Sequence, residues 1–276
     1  MDKHLARTRN RNRKKEDGSR LEESLGEWLE NGPFVLGLSS GFFGFYAHCG
    51  ALMALTQQGL RPSGVAGSSA GALVGGAWAA GVEPKDIAEA LEALRREDFW
   101  DPAPGFGFLR GRAFRRALEE LLPVEQVEEA RVPVWFSAFD VLSLKTKVFT
   151  QGRLAPILHA SCAVPFLFHP VWIHGRPYLD GGVADRPGLT GVPHHERVLF
   201  HHLVSKSPWR LRPPQPPPRE AMATLAFPGL VRVDPFRLHR GPKALRQARE
   251  ATSRALDGPA PRFLSSSRQG VGSVTL

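Results

Sequence analysis

Apolar and polar positions divide this chain into short elements that alternate between strand and helix. Residues 34–39, Phe-Val-Leu-Gly-Leu-Ser, form a continuous apolar run of strand length and read as a buried strand. Residues 45–58 carry helical spacing and end at Gly59, a helix stop. Gly64-Val65-Ala66 reads as the end of a second strand, and residues 70–80 as a helix of small residues. The opening therefore runs strand, glycine loop, helix, strand, tight turn, helix. That order predicts the α/β class, a parallel sheet with helices on its faces. Further helices are expected over 86–96, 112–122, 156–163 and 243–256, and strands over 132–140, 147–149 and 197–203. Tyr178-Leu179 leads into a turn at Asp180-Gly181-Gly182. Leu21, Leu25, Trp28 and Leu29 have the spacing of a short amphipathic helix, and the proline-rich residues 213–218 can continue neither helix nor sheet.

Composition narrows the class. A chain of 276 residues with 42% hydrophobic and 23% charged residues can bury one sizeable core. The two cysteines, Cys49 and Cys162, sit in apolar segments and read as buried free thiols. No apolar leader follows the basic N-terminal residues and no apolar run approaches membrane-spanning length. A cytoplasmic location without signal peptide or transmembrane helix is the expectation. Part of the net charge of +9 lies in residues 1–20, where eight basic residues face three acidic ones. This reads as a solvated tail, with contact to an anionic membrane surface as its functional alternative. No nucleic acid partner is expected, because no recognition fold accompanies the tail.

Three segments carry candidate chemistry. Gly67-Ser68-Ser69-Ala70-Gly71 fits G-x-S-x-G with Ser69 at its centre. A serine on a sharp strand-to-helix turn stands clear of the sheet and can attack an acyl group, although the same residues also suit a tightly packed, capped turn. A side chain at Gly67 or Gly71 would crowd that turn. Asp180-Gly181-Gly182 serves either as a plain turn or as the source of a base. His194-His195 and His201-His202 follow Ser69 in the order of an α/β-hydrolase, but only about two strands precede Ser69, which argues against that fold. A carboxylate acting directly on the serine is the remaining option. The loop Ser40-Gly41-Phe42-Phe43-Gly44 offers backbone N–H groups to a developing oxyanion and is not a dinucleotide fingerprint. His48, His159 and His169 read as hydrogen-bonded core or rim groups. The paired histidines read as surface-loop and strand-end residues lacking a third metal ligand, so no metal site is expected.

Four stretches occur together in one order: Ala47-His48-Cys49-Gly50-Ala51-Leu52, Gly67-Ser68-Ser69-Ala70-Gly71-Ala72-Leu73, Ala160-Ser161-Cys162-Ala163-Val164-Pro165 and Tyr178-Leu179-Asp180-Gly181-Gly182-Val183. On these the chain resembles the patatin-like phospholipase family from about Phe34 to about Leu189, with a looser echo to Leu256. The resemblance implies a three-layer fold with a mostly parallel central sheet and helices on both faces. It implies a Ser–Asp dyad without histidine, with Ser69 as nucleophile, Asp180 as base and no cofactor. Gly67, Gly71, Gly181 and Gly182 are the motif glycines. The backbone of Gly41, Phe42, Phe43 and Gly44 stands where the oxyanion donors would be. The family's usual glycine run with x-Arg-Gly is replaced here by Gly41-Phe42-Phe43-Gly44-Phe45, without arginine. The implied activity is hydrolysis of carboxylic esters of phospholipids or related lipids, with small-ester hydrolysis, acyl transfer or weakly catalytic lipid binding as alternatives. The expected organisation is a basic tail and short helix over 1–30, a catalytic body over 31–258 and a loose end over 259–276. Phe106, Phe108, Phe166, Phe168 and Trp172 are candidates for an acyl groove or for core.

Overall fold

The computed structural model describes residues 23–204 and 219–264. The basic tail, the proline-rich stretch and the last twelve residues lie outside the described residues.

The chain starts with helix α1 (Leu25–Glu30), which is fixed by a capping box: Ser24 Oγ accepts the Glu27 N–H at 3.2 Å and Glu27 Oε2 accepts the Ser24 N–H at 3.0 Å. Leu25 and Leu29 are fully buried, and the Leu25 N–H donates to the Gly258 carbonyl at 2.8 Å. The helix is therefore tied to Gly258, with Leu25 and Leu29 turned into the core. The far end is itself held. Phe263 is buried, and Leu264 bridges to Ala223, so packed residues continue to Leu264.

Strand β1 (Val35–Leu38) leads through the glycine loop into α2 (Phe45–Gln57), β2 (Gly64–Ser68) and α3 (Ala70–Ala80). Helix α4 (Pro84–Ala93) follows, then a short strand β3 (Gly107–Leu109) and α5 (Arg112–Leu121). A hairpin of β4 (Val134–Asp140) and β5 (Lys145–Phe149) precedes α6 (Leu154–Cys162). Three short strands come next, β6 (Phe166–Phe168), β7 (Val171–Ile173) and β8 (Arg176–Asp180), and then β9 (Val198–His202), β10 (Met222–Ala226) and the long α7 (Gly241–Asp257). The main sheet has the order β10-β9-β1-β2-β4-β8-β7, with β5 on the other edge of β4. The five strands from β10 to β4 are parallel, and β8, β7 and β5 are antiparallel additions.

Strand pleat sorts the core. Leu36, Leu38, Val65, Phe136 and Leu199 join the larger cluster, into which α3 packs so closely that a methyl at Gly75 would meet Val65. Val35, Ala66, Val198 and Phe200 point the other way and are covered by Leu189 and Val192, from the stretch between β8 and β9. That stretch depends on Asp185. Its Oδ2 accepts the Ser137 hydroxyl at 2.6 Å and the Thr190 N–H at 3.1 Å, while Oδ1 accepts the Gly188 and Leu189 N–H groups at 3.0 and 3.3 Å. Both oxygens face donors, so an amide nitrogen in either place would oppose one. Asp185→Asn is expected to cost about 2–4 kcal/mol, read by urea denaturation; an unchanged midpoint would show that the loop is held by other contacts.

Candidate active site

The site grows from a register coincidence on β4. Strand β2 runs parallel along one edge of β4 and ends with Ser68 opposite Ser137. Strand β8 runs antiparallel along the same edge and ends with Asp180 opposite Ala138, one rung further. The C-termini of β2 and β8 therefore meet head-on, and the next residue of β2, Ser69, is delivered beside Asp180.

Ser69 is the only residue between β2 and α3, and it turns the chain with φ 53° and ψ −122°, a conformation that costs a non-glycine residue of order 1–3 kcal/mol. Its N–H donates to Ser161 Oγ at 2.9 Å, and Ser161 Oγ donates to the Ser137 carbonyl at 2.7 Å, so α6 and β4 together hold the turn. Helix α3 can start directly after it because residue 71 is glycine; a Cβ there would overlap the Leu38 carbonyl. The N-terminus of α3 adds positive potential beside the hydroxyl.

Asp180 is buried at the end of β8, with its N–H fixed to the Ala163 carbonyl at 2.8 Å. Oδ1 accepts the Gly182 N–H at 2.7 Å. Oδ2 is buried with no partner inside hydrogen-bonding geometry, although the Ser69 hydroxyl is near enough to favour the charged form. Burial dominates and pushes the Asp180 carboxyl up from 3.8 to about 6, against the opposing pull of Ser69 and Gly182. Cys162 lies next to Ser69. Its thiol is pushed well above its ordinary value by burial and by the Asp180 charge, so it stays neutral.

The loop before α2 closes on itself. The Gly44 N–H donates to the Gly41 carbonyl at 2.8 Å, so of the four expected donors Gly44 is engaged within the loop itself. Phe43 sits at φ 53°, and the Ser40 N–H ties the loop to the Arg186 carbonyl at 2.8 Å. Beneath the loop His48 and His201 meet, Nδ1 to Nδ1 at 2.8 Å, while His48 Nε2 lies 2.7 Å from the Ser39 carbonyl. A carbonyl only accepts, so His48 carries its proton on Nε2 and accepts from His201 Nδ1–H. Burial holds His48 down at about 4 and His201 well below its usual value, so both rings are neutral struts between α2 and β9. His201 and His202 close β9, at a strand end as their pattern suggested, and are buried there, whereas His194 and His195 are in a turn.

Two cavities flank this loop. One, of about 180 Å³, is walled almost wholly by apolar groups, among them Leu73, Leu91, Phe114, Leu118 and Phe168, and reaches Ser69. The other, of about 890 Å³, is wider and more polar, with Ser40, Gly182, Arg186 and Arg232 on its walls. Gly41, Phe42, Phe43 and Val164 border both. Of the aromatic candidates for an acyl groove only Phe168 lines the apolar cavity; Phe106, Phe108, Phe166 and Trp172 are exposed. Sequence reasoning assigned no role to Ser161 or Asp185. Ser161 lies within one of the four recurring stretches, but nothing in the sequence ties it to the Ser69 N–H.

Among the described residues no group of three or more His, Cys, Asp or Glu could hold a metal ion, and no helix is long and apolar enough to cross a membrane. The family model for patatin-like phospholipases matches residues 36–192, more than half of the chain, and the chain belongs to that family. An uncharacterized NTE family protein of Mycobacterium tuberculosis is 34% identical over 155 residues, covering 55% of this chain and 43% of its own. A lysophospholipase of Mycosarcoma maydis is 25% identical over 151 residues, covering 52% of this chain and 8% of its own. The chain thus spans less than half the length of these relatives. The crystal structure of VipD from Legionella pneumophila shares the fold, with a TM-score of 0.60 at 15% identity over 82% of this chain and 67% of that one.

Because the folded-state pKa of Asp180 lies above its ordinary value, the native state binds this proton more tightly than the unfolded chain does. The stability contributed is complete below about 3.8 and is lost as pH rises through about 6. Asp180→Asn should therefore stabilise the protein at pH 8 by about 1–3 kcal/mol, with the gain closing toward pH 4. Equal melting of variant and wild type at both pH values would refute a buried, costly carboxylate.

Proposed function

We propose that this protein is a serine lipid acyl hydrolase working through Ser69 and Asp180. The observation that carries the reading is the delivery of a strained serine to a buried carboxylate with a vacant oxygen, at the end of an apolar cavity. The ester's acyl chain occupies that cavity, and the rest of the lipid lies in the wider polar cleft across the loop. Asp180 Oδ2 takes the Ser69 proton as Oγ bonds to the carbonyl carbon. The carbonyl oxygen, now negative, is held by N–H groups of Gly41, Phe42 and Phe43. Collapse breaks the bond to the leaving oxygen, which takes the proton from Asp180 and departs as an alcohol. Water then gives a proton to Asp180 and attacks the acyl carbon. The fatty acid leaves and Ser69 regains its proton.

A base raised to about 6 is ionised at neutral pH yet basic enough to share a proton with a serine. The lysophospholipase name of the fungal relatives favours a single-chain phospholipid as substrate, and one apolar cavity suits one acyl chain.

The test is fatty-acid release from lysophospholipid micelles and from phospholipid vesicles. Ser69→Ala and Asp180→Asn should each lower kcat/KM by about 10³-fold or more. The kcat/KM of the wild type should rise with pH through an apparent pKa of about 6, since only the carboxylate form accepts the proton. Full release by either variant would rule out the dyad. Turnover of short-chain esters with lipids untouched would keep the dyad and replace the substrate.

A further inference from the structure

The outer wall of the apolar cavity is a two-stranded ribbon, β3 against β6, pairing Gly107 with Phe166 and Leu109 with Phe168. Leu109 and Phe168 point inward and line the cavity. In a regular strand Phe166 would point the same way as Phe168, two residues on. It does not: φ at Phe166 is +65°, the alternation breaks, and the ring stands 89% exposed. Phe106 is 90% exposed, Phe236 71% and Phe108 52%. A strained backbone and several bare phenyl rings both cost the folded state and hold nothing in its core.

Two of these rings, Phe108 and Phe236, are linked to the site. Phe108 lies 5.6 Å and Phe236 6.2 Å from Trp100; Trp100 touches Phe99, Phe99 touches Phe43, and Phe43 touches Phe42 of the oxyanion loop. Cations frame them. The Arg96 guanidinium sits over Trp100 at 5.6 Å and Phe236 at 5.8 Å, and Arg110 and Arg237 are exposed beside the outer rings. Carboxylates lie among them too: Asp101 accepts the N–H groups of Gly111 and Arg112, Asp98 accepts that of Arg95, Glu97 lies 3.7 Å from Arg95 and Asp234 3.9 Å from Arg237, so Arg96 and Arg110 are the guanidinium groups the proposal relies on.

We propose that this aromatic ribbon, with Phe236 and its arginine frame, is the surface by which the protein docks on an anionic lipid bilayer. Rings sink to the level of the acyl boundary while guanidinium groups meet lipid phosphates above them. The mouth of the cavity then opens toward the lipid, so that an acyl chain passes into it without crossing water. This purpose rests on the acyl hydrolase reading, but the docking itself does not. It also places the membrane face on the ribbon and away from α1, whose apolar side is buried.

The experiment is vesicle sedimentation of the full chain in the Ser69→Ala background, so that lipid is not consumed. Mixed phosphatidylcholine–phosphatidylglycerol vesicles should bind the protein more tightly than phosphatidylcholine alone. Adding Phe106→Ser, Phe166→Ser and Phe236→Ser should weaken partitioning by roughly tenfold for each ring removed from the interface. All three rings are solvent-exposed, so the melting temperature should hold, and with Ser69 restored the triple variant should hydrolyse a soluble short-chain ester like wild type. Undiminished vesicle binding by the triple variant would overturn the proposal, because the basic tail is present throughout. So would absence of binding by the parent, or a triple variant that alters only self-association in gel filtration. Failure of wild type to cleave the soluble ester would instead sink the hydrolase reading and leave the vesicle result standing.

Discussion

Strand β4 carries two strands end to end along a single edge, and the rest of the site depends on where they meet. Ser137 and Ala138 are adjacent rungs, one taken by Ser68 and the next by Asp180. A slip of one residue in either pairing would turn Ser69 or Asp180 to the other face. The other edge of β4, paired with β5 from Phe136 to Asp140, keeps the rung sequence continuous across the junction. Residues more than a hundred positions apart are thus set side by side by backbone hydrogen bonds alone, before any side-chain interaction between them.

That junction concentrates cost. Ser69 holds a strained turn, and Asp180 holds a charge in an apolar setting with one oxygen unpartnered. Both are sustained by neighbours that over-determine the geometry: Ser161 grips the Ser69 amide, Ala163 grips the Asp180 amide, and Gly182 grips Oδ1. Strain and desolvation of this kind suit the proton transfer proposed for the pair, since an Oδ2 already satisfied by other donors would be a weaker base toward the serine.

The sequence carried the frame of this arrangement clearly. The helix expected over 70–80 and the strand expected at 34–39 match α3 and β1, because small-residue helices and unbroken apolar runs are strong local signals. The short strands β3, β6, β7 and β10 were not foreseen. The three-residue β3, β6 and β7 have no measurable period, and their pairing, like that of the five-residue β10, is decided by distant partners such as Gly107 with Phe166. Ser69 and Asp180 stood out as motif residues, but their proximity could not, since it arises from rungs on β4. The burial of His201 was hidden for a related reason. A histidine pair looks polar in sequence, and the partner of His201 Nδ1 is His48, a distant residue itself held by the Ser39 carbonyl.

The glycine loop proposed to hold the oxyanion shows how its backbone is fixed without the arginine of the family pattern. Without the usual arginine, the loop still needs a fixed backbone, because donors act only when pre-aimed. Its shape is closed by the Gly44-to-Gly41 hydrogen bond and tied to the chain after Asp180 through Ser40. Phe43 holds its left-handed backbone while its ring packs at 5.2 Å on Phe45 and 5.6 Å on Phe99. Aromatic packing thus holds the loop in place of a long polar side chain, and it does so within the wall of the apolar cavity. Phe43, Phe45 and Phe99 both fix the loop and line the apolar cavity, so under the proposed function loop position and acyl-chain binding would be coupled by contact.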